Sequence, residues 1–367
     1  MTICLISAAT LLLLPSMNSP SSSSTGIRPV AALDGVGVSK AMGFGFNLGN
    51  SFDVGLNPTS LPDIQKVIDL YVGAGVKHVR IPVTWMDGFS GKHLADSSGK
   101  LNVKSPRFIE LKAAVRYALK KNLYVIVNTH HEHWLKRAYN GAKHDAIFTN
   151  LWKGIANEFK SESPKLIFEV LNEPEDAFGS WGGKINPQDP SAMEKTRNIN
   201  LVGYSAIRST GGNNATRIVM FGMNGQGNHS MFPSLYPTRS SLPGGGMDRN
   251  IVATLHTYDP WTFCGQDGKL SAYPGADAVK QSVQTVLDHA AKLGIGANYG
   301  EYGVGRKDKV EERNTDTVRE YYRVVTKTIL DAGASATPWD DRGWFGLIEA
   351  NNGAYQFKYG LVQAMRN

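Results

Sequence analysis

Two glutamates follow apolar runs, and their type and spacing could support chemistry. Glu173 lies in Asn172-Glu173-Pro174, directly after the run at residues 166–171, and Glu301 lies in Gly300-Glu301-Tyr302 much further along the chain. Two carboxylates that meet in one cleft can hydrolyse a glycosidic bond, since one protonates the leaving oxygen and the other attacks or stabilises the sugar carbon. Either glutamate alone indicates little, so the interpretation depends on the elements that position them.

Those elements are predicted from apolar runs that alternate with segments of helical period. Runs such as Tyr124-Val125-Ile126-Val127 are continuously apolar, which is typical of parallel strands buried on both faces. The predicted strands cover residues 43–50, 77–82, 123–130, 166–172, 217–223, 251–258, 296–301 and 334–340. The predicted helices cover residues 61–74, 105–121, 145–160, 191–210, 277–293 and 316–332. This order predicts an α/β protein with a (β/α)₈ TIM barrel, and a doubly wound open sheet is the alternative.

The predicted barrel occupies residues 33–367 as a single catalytic domain, because the chain has no second composition regime and no long linker. Its fifth crossover, residues 224–250, is rich in Gly, Pro and Ser, so we expect a loop with at most a short helix there. Of the 367 residues, 41% are hydrophobic and 19% are charged, which indicates a folded globular protein.

Residues 1–32 are predicted to be a secretory signal peptide with a Ser/Pro-rich spacer. The apolar stretch at residues 3–14 is too short to span a bilayer, and a serine run at residues 21–24 follows it. A disordered N-terminal extension is the alternative. If the signal is removed, Cys264 is the one remaining cysteine, so we expect no intramolecular disulfide and a secreted, extracellular protein.

The charge distribution argues against a nucleic-acid-binding protein. The net charge is +7, but the basic residues are interleaved with acids, as in the segment 306–313. A stripe of basic residues with interleaved aromatics, which nucleic-acid binding favours, is missing from the sequence. We expect a monomer that binds neither nucleic acid nor membrane.

Polar or aromatic residues stand at the end of every predicted strand. In a barrel these ends converge on one face, where active sites are built, although a solvated loop start is the alternative for any single cluster. The clusters include Asn47-Leu48-Gly49-Asn50, Val79-Arg80-Ile81-Pro82, His130-His131-Glu132-His133, Asn172-Glu173-Pro174, His256-Thr257-Tyr258, Gly300-Glu301-Tyr302 and Trp339-Asp340-Asp341.

Five motifs, in this order, resemble glycoside hydrolase family 5, the cellulases and related β-glycanases. They are Asn47-Leu48-Gly49-Asn50, His78-Val79-Arg80-Ile81-Pro82, Asn172-Glu173-Pro174, His256-Thr257-Tyr258 and Gly300-Glu301-Tyr302-Gly303. The resemblance runs from about Met42 to the C-terminus. It implies a (β/α)₈ barrel and a cofactor-free, retaining endo-β-1,4-glucanase that acts on β-glucan. A β-mannanase, xyloglucanase or lichenase is an alternative, and so is a non-catalytic carbohydrate-binding protein on the same scaffold.

The resemblance also implies roles for the residues around the two glutamates. Glu173 would be the general acid/base and Glu301 the nucleophile. Arg80 would keep Glu301 ionised and oriented. Tyr258 would donate a hydrogen bond to Glu301, and His256 would help organise the carboxylate pair; either could instead be a core hydrogen-bonding residue.

The remaining predicted residues would contact the sugar. Asn172 would bind the sugar 2-hydroxyl, and His130 would line the subsite on the non-reducing side. Trp339 would supply the apolar face on which a pyranose ring stacks. His131 and Asn47 complete the predicted substrate-binding set. Further stacking candidates are Trp85, Trp134, Trp181, Trp261 and Trp344.

The histidine-rich cluster at residues 130–133 offers groups that could bind zinc. Neighbours on a strand point to opposite faces, however, and the His-Glu-x-x-His spacing of a zinc helix is missing from the sequence. We therefore predict no metal and no cofactor.

Overall fold

Eight parallel strands form one sheet in a computed structural model of the chain, and their hydrogen-bonded order follows the chain order. They are β1 (Gly45–Asn47), β2 (His78–Ile81), β3 (Tyr124–Asn128), β4 (Leu166–Glu169), β5 (Val219–Gly222), β6 (Ile251–Thr257), β7 (Gly296–Tyr302) and β8 (Ser335–Ala336). The Ala336 amide donates to the Gly43 carbonyl at 2.9 Å, and the Asn47 amide donates to the Pro338 carbonyl at 3.2 Å. These bonds bring the last strand against the first, so the predicted (β/α)₈ barrel is confirmed.

The structure describes Met1, residues 33–89 and residues 92–367, and Leu33–Asn367 form one compact unit. The predicted signal peptide and spacer, apart from Met1, fall outside the described residues. Among the helices that the structure describes, none combines the length and the apolar character needed to cross a membrane.

The helices begin at capping residues that the sequence supplies. Ser105 accepts a hydrogen bond from the Phe108 amide, and Asp189 accepts one from the Ser191 amide; a proline follows each cap. The helices are Gly35–Met42, Leu61–Gly73, Pro106–Lys120, Ala142–Glu158, Pro190–Ser209, Ala276–Leu293, Asp316–Asp331 and Leu361–Arg366. All six predicted helices are present. Shorter helical turns such as Phe232–Leu235 occupy the fifth crossover, which agrees with the predicted loop.

Several elements differ from the sequence prediction. The helices Gly35–Met42 and Leu361–Arg366 and the hairpin of β9 (Ile348–Asn351) and β10 (Ala354–Phe357) are not predicted. The first helix carries two glycines, which lower its intrinsic propensity, so tertiary packing must stabilise it. The predicted strand at residues 334–340 is also shorter in the structure, because only Ser335–Ala336 pairs with β7.

The core has two parts. One lies largely between the sheet and the surrounding helices, and the other includes the side chains of the Gly35–Met42 helix. In this second part Val38 and Met42 pack with residues of β3 to β6 and of the segments beside them, namely Ile126, Ile167, Ile218, Met220 and Val252. The unpredicted helix therefore closes the N-terminal end of the barrel, opposite the face where the strand ends carry polar residues.

Met42→Ala is expected to lower the free energy of unfolding by about 2–5 kcal/mol, because it opens a cavity around a side chain with 0% exposure. Met247→Ala is the matched control, since Met247 is 86% exposed, and its change should stay within about 0.5 kcal/mol. Urea unfolding of both variants makes the comparison. Equal losses in the two would contradict the packing role of this helix.

Candidate active site

A cavity of about 810 Å³ opens at the carboxyl ends of the strands. Both glutamates line it, together with five of the other predicted site residues: His130, His131, His256, Tyr258 and Trp339. The strand ends that the sequence marks as polar therefore do meet in one place.

The two glutamates face each other across His256. The side chain of His256 places Nδ1 2.8 Å from Oε1 of Glu173 and 3.9 Å from Oε2 of Glu301. A carboxylate oxygen of Glu173 lies within 4.8 Å of one of Glu301. Two carboxyl groups this close can act on the same sugar carbon and its leaving oxygen.

Arg80 and Tyr258 both donate hydrogen bonds to the nucleophile candidate, Glu301. Nη1 of Arg80 donates to Oε1 of Glu301 at 2.8 Å, and the hydroxyl of Tyr258 donates to Oε2 of the same carboxylate at 2.9 Å. The predicted contacts of Arg80 and Tyr258 with Glu301 are thus both present. They leave Glu301 fixed in orientation, which nucleophilic attack on a bound sugar requires.

The acid/base candidate has different electrostatic surroundings. Burial, and then the nearby charge of Glu175, raises the pKa of Glu173 to about 7. Burial also raises the pKa of Glu301, but the permanent positive charge of Arg80 opposes that rise. Burial lowers the pKa of His256 to about 4, so the imidazole that touches Glu173 is neutral near neutral pH. Glu173 can therefore hold a proton to donate, whereas positive charge is placed beside Glu301.

The backbone around Glu173 is unusual. Glu173 has a φ of 42°, in the left-handed region that side chains other than glycine rarely adopt. Gly227 approaches it closely, and a Cβ on Gly227 would lie 3.0 Å from Cγ of Glu173 and 2.9 Å from Nδ1 of His256. A glycine at this position therefore lets the loop after β5 pack against Glu173 and His256.

Trp339 and His130 form a parallel aromatic pair at the cavity wall. Their ring centroids lie 5.9 Å apart with an interplanar angle of 6°. Gly49 allows the approach of Trp339, since a Cβ there would lie 2.9 Å from the indole ring. The ring of Trp339 lines the cavity, although only 9% of the residue is exposed.

Three predicted binding residues do not line the cavity: Asn47, Arg80 and Asn172. Asn47 is buried, and its amide donates to the carbonyls of Gly300, Thr337 and Pro338 while its oxygen accepts from Arg80. Asn47 therefore stabilises Arg80 and the neighbouring backbone, and it does not line the cavity. Asn172 is also buried; its oxygen accepts from Arg80, and its amide lies 3.4 Å from Nε2 of His130, which lines the cavity.

The cluster at residues 130–133 does not converge on one point. Glu132 turns away and accepts hydrogen bonds from the Trp85 amide, the Met86 amide and the Trp134 indole. These hydrogen bonds hold the loop after β2. Within the described residues, two groups of side chains have a spacing that could hold an ion: Asp53 with His130 and His131, and Glu173 with His256 and Glu301. An ion in either group would engage side chains that line the substrate cavity.

Comparisons with known proteins agree with this geometry. The family model described as cellulase (glycosyl hydrolase family 5) matches residues 40–341. The chain belongs to glycoside hydrolase family 5. Endoglucanase B of Clostridium cellulovorans is 31% identical over 88% of this chain and 70% of its own length. Endoglucanase B of Paenibacillus lautus is 29% identical over 82% of this chain, which spans only 53% of that protein.

Solved structures show the same fold for this family 5 chain. A broad-specificity endoglucanase from Clostridium cellulovorans superposes with a TM-score of 0.71 at 26% identity, covering 91% of this chain and 96% of that one. A second, from Clostridium acetobutylicum, gives a TM-score of 0.75 at 24% identity, covering 92% of this chain and 100% of that one.

The family 5 site contains residues that the sequence analysis misses. Glu169 on β4 is buried and makes two hydrogen bonds with Arg80, at 2.7 and 2.8 Å. Asn128 on β3 donates to both Glu169 and His130. A charged residue inside an apolar strand is the signal for Glu169, because such a charge needs a buried partner. Among the tryptophan candidates, Trp181 and Trp261 line the cavity, whereas Trp85 is fully buried.

Trp339→Ala is expected to damage catalysis more than folding. Loss of the stacking face should lower kcat/KM by about 5- to 150-fold, which corresponds to ~1–3 kcal/mol. The comparison variant is Trp85→Ala in the core, which should instead lower the free energy of unfolding by about 3–5 kcal/mol. Activity and melting temperature are measured on both purified proteins. A Trp339→Ala protein that melts several degrees earlier but keeps normal activity when folded would identify Trp339 as a packing residue.

Proposed function

We propose that this protein is a secreted, retaining endo-β-1,4-glucanase that hydrolyses internal bonds of cellulose-like β-glucans. The observation that carries the proposal is the pair of Glu173 and Glu301, whose nearest oxygens lie within 4.8 Å. Retaining glycosidases hold their carboxyl groups ~5–5.5 Å apart, whereas inverting enzymes need ~6.5–9.5 Å to admit a water molecule. A closest approach of oxygens within 4.8 Å is compatible with the shorter of these two separations between carboxyl groups, and it supports direct attack by one carboxylate.

In the first step Glu173 donates its proton to the glycosidic oxygen while Glu301 attacks the anomeric carbon. The bond between the anomeric carbon and the leaving oxygen breaks, and an ester bond to Glu301 forms. The elevated pKa of Glu173 supports its role as the acid, and the hydrogen bonds from Arg80 and Tyr258 orient Glu301 for attack. We assign the sugar 2-hydroxyl to Asn172, which accepts a hydrogen bond from Arg80 and whose amide lies 3.4 Å from Nε2 of His130.

In the second step Glu173 acts as the general base, whereas it is the general acid in the first. As a carboxylate it accepts a proton from water, and the oxygen of that water attacks the anomeric carbon of the glycosyl ester. Glu301 leaves as a carboxylate, and Arg80 and Tyr258 stabilise its returning charge. Two displacements at the same carbon retain the β configuration.

A polymeric substrate is favoured by the distribution of aromatic rings. Trp181 follows β4, Trp261 follows β6 and Trp339 follows β8, and all three line the cavity. Rings contributed by three separate loops can contact several sugar units, whereas a single sugar needs one. The curated relatives reported above are named endoglucanases, which supports the same substrate class.

Secretion and a monomeric state belong to the proposal as well. Secretion is supported by the apolar and Ser/Pro-rich sequence of residues 1–32. The substrate is a polysaccharide too large to enter a cell, so an enzyme that cuts it must act outside.

Hydrolysis of a panel of polysaccharides tests the function. We expect reducing sugar from carboxymethylcellulose and barley β-glucan, with an early fall in viscosity because internal bonds are cut. Glucomannan and xyloglucan complete the panel. Glu173→Gln should lower the rate on these polymers by about 10²–10⁴-fold. Binding without hydrolysis by the unmodified protein would indicate a non-catalytic carbohydrate-binding protein, and activity restricted to glucomannan would contradict the glucanase assignment.

A further inference from the structure

Lys136 is an unusual feature of the loop after β3. Only 1% of its side chain is exposed, although it carries an ammonium group. Within residues 33–89 and 92–367, the one hydrogen-bond partner recorded for Nζ is Oε1 of Glu175, at 3.4 Å. Burying a charge with a single, long ion pair costs free energy, so packing alone does not account for a lysine at this position.

Glu175 places this ion pair beside the acid/base candidate. It follows Glu173 by two residues, in Glu173-Pro174-Glu175, and its side chain is 26% exposed. Lys136 reaches it from the short helical turn His133–Lys136, which packs against the turn Asp176–Phe178 of the loop after β4. Neither Lys136 nor Glu175 lines the substrate cavity. Both can therefore act on Glu173 without touching the sugar.

We propose that the Lys136–Glu175 ion pair is a charge-balancing device that sets the pH range over which Glu173 exchanges its proton. This inference rests on the proposed role of Glu173 as the general acid/base. Lys136 and Glu175 are positioning residues in this account, since they act through Glu173.

The two partners act on Glu173 in opposite directions. After burial, the negative charge of Glu175 is the largest influence that raises the pKa of Glu173, and the positive charge of Lys136 is the next, lowering it. Within the pair, the two charges oppose each other. A change in either partner alone leaves one uncompensated charge close to the catalytic carboxyl group, where low solvent exposure weakens screening.

Other charged or titratable groups also surround Glu173, and all remain unchanged in the test below. They come from β2, β3, β4, β6, β7 and the segments that follow them, namely Arg80, His130, His131, Glu169, His256, Tyr258 and Glu301. Of these, His256 touches Glu173 directly, at 2.8 Å.

The test is a double-mutant cycle that neutralises each charge, read from the pH dependence of kcat/KM on barley β-glucan. A general acid must be protonated in the free enzyme, so activity falls as pH rises through the pKa of Glu173. Glu175→Gln leaves the positive charge of Lys136 unpaired, which favours the ionised form of Glu173. The alkaline limb of the pH profile, where activity falls as pH rises, should therefore move to lower pH. Lys136→Met leaves Glu175 unpaired and should move the limb to higher pH. Each shift should be on the order of half to one pH unit, and the double variant should lie near the original limb.

Two controls separate this effect from loss of structure. Lys112→Met and Glu158→Gln disrupt an ion pair between two outer helices and should leave the limb unmoved. Lys136→Arg retains the charge, so it should keep the original limb even if its melting temperature falls. Limbs that stay in place in both single variants, or that move in the same direction, would overturn the proposal.

A separate variant, Glu173→Gln, tests the acid/base assignment itself. Glu173→Gln should lose both the alkaline limb and most of the activity. If it kept both, Glu173 would not be the acid, whatever the behaviour of Lys136 and Glu175. If it lost both while the ion-pair variants kept the original limb, only the inference about the pair would be wrong.

Discussion

One buried guanidinium organises the catalytic face of the barrel. Arg80 on β2 is 0% exposed, and its five N–H groups donate to Glu169 twice and to Glu301, Asn47 and Asn172 once each. A buried charge is tolerated when every donor has an acceptor, and here every donor does. The acceptors stand on or just after β1, β4 and β7, so a single side chain sets the relative positions of three strand ends.

Arg80 also fixes how charge is shared among the carboxyl groups. Burial alone raises the pKa of Glu169, but the charge and hydrogen bonds of Arg80 outweigh it, so the pKa lies below its ordinary value. One positive charge thus faces two carboxylates, Glu169 and Glu301. Glu173 lies outside this arrangement of charges, because burial and then the charge of Glu175 raise its pKa, whereas the charge of Arg80 lowers it. Arg80 therefore orients the proposed nucleophile, and the proposed acid depends on different neighbours for its proton.

The sequence predicts the strand ends well because polar residues there interrupt otherwise apolar runs. It predicts the contacts of Arg80 and Tyr258 with Glu301 only through the resemblance to a known family. Glu169 is missed for a physical reason: Leu166–Glu169 is buried on both faces, so the pattern does not indicate that this side chain points toward Arg80. The Gly35–Met42 helix is missed because its stability comes from contacts distant in sequence. The Lys136–Glu175 pair is missed for the same reason, since it joins two loops that only the barrel brings together.

The central claim is that Arg80 and Tyr258 prepare Glu301 as the nucleophile while Glu173 carries the proton. Azide rescue of two variants on an activated aryl β-cellobioside tests it most directly, with product configuration read from the anomeric proton by NMR. Glu301→Gly lacks the nucleophile, so azide should attack the sugar from the vacated side and give the α-glycosyl azide. Glu173→Ala keeps Glu301, so the covalent intermediate should form and azide should give the β product. The same anomer from both variants, or undiminished activity in either, would contradict the account.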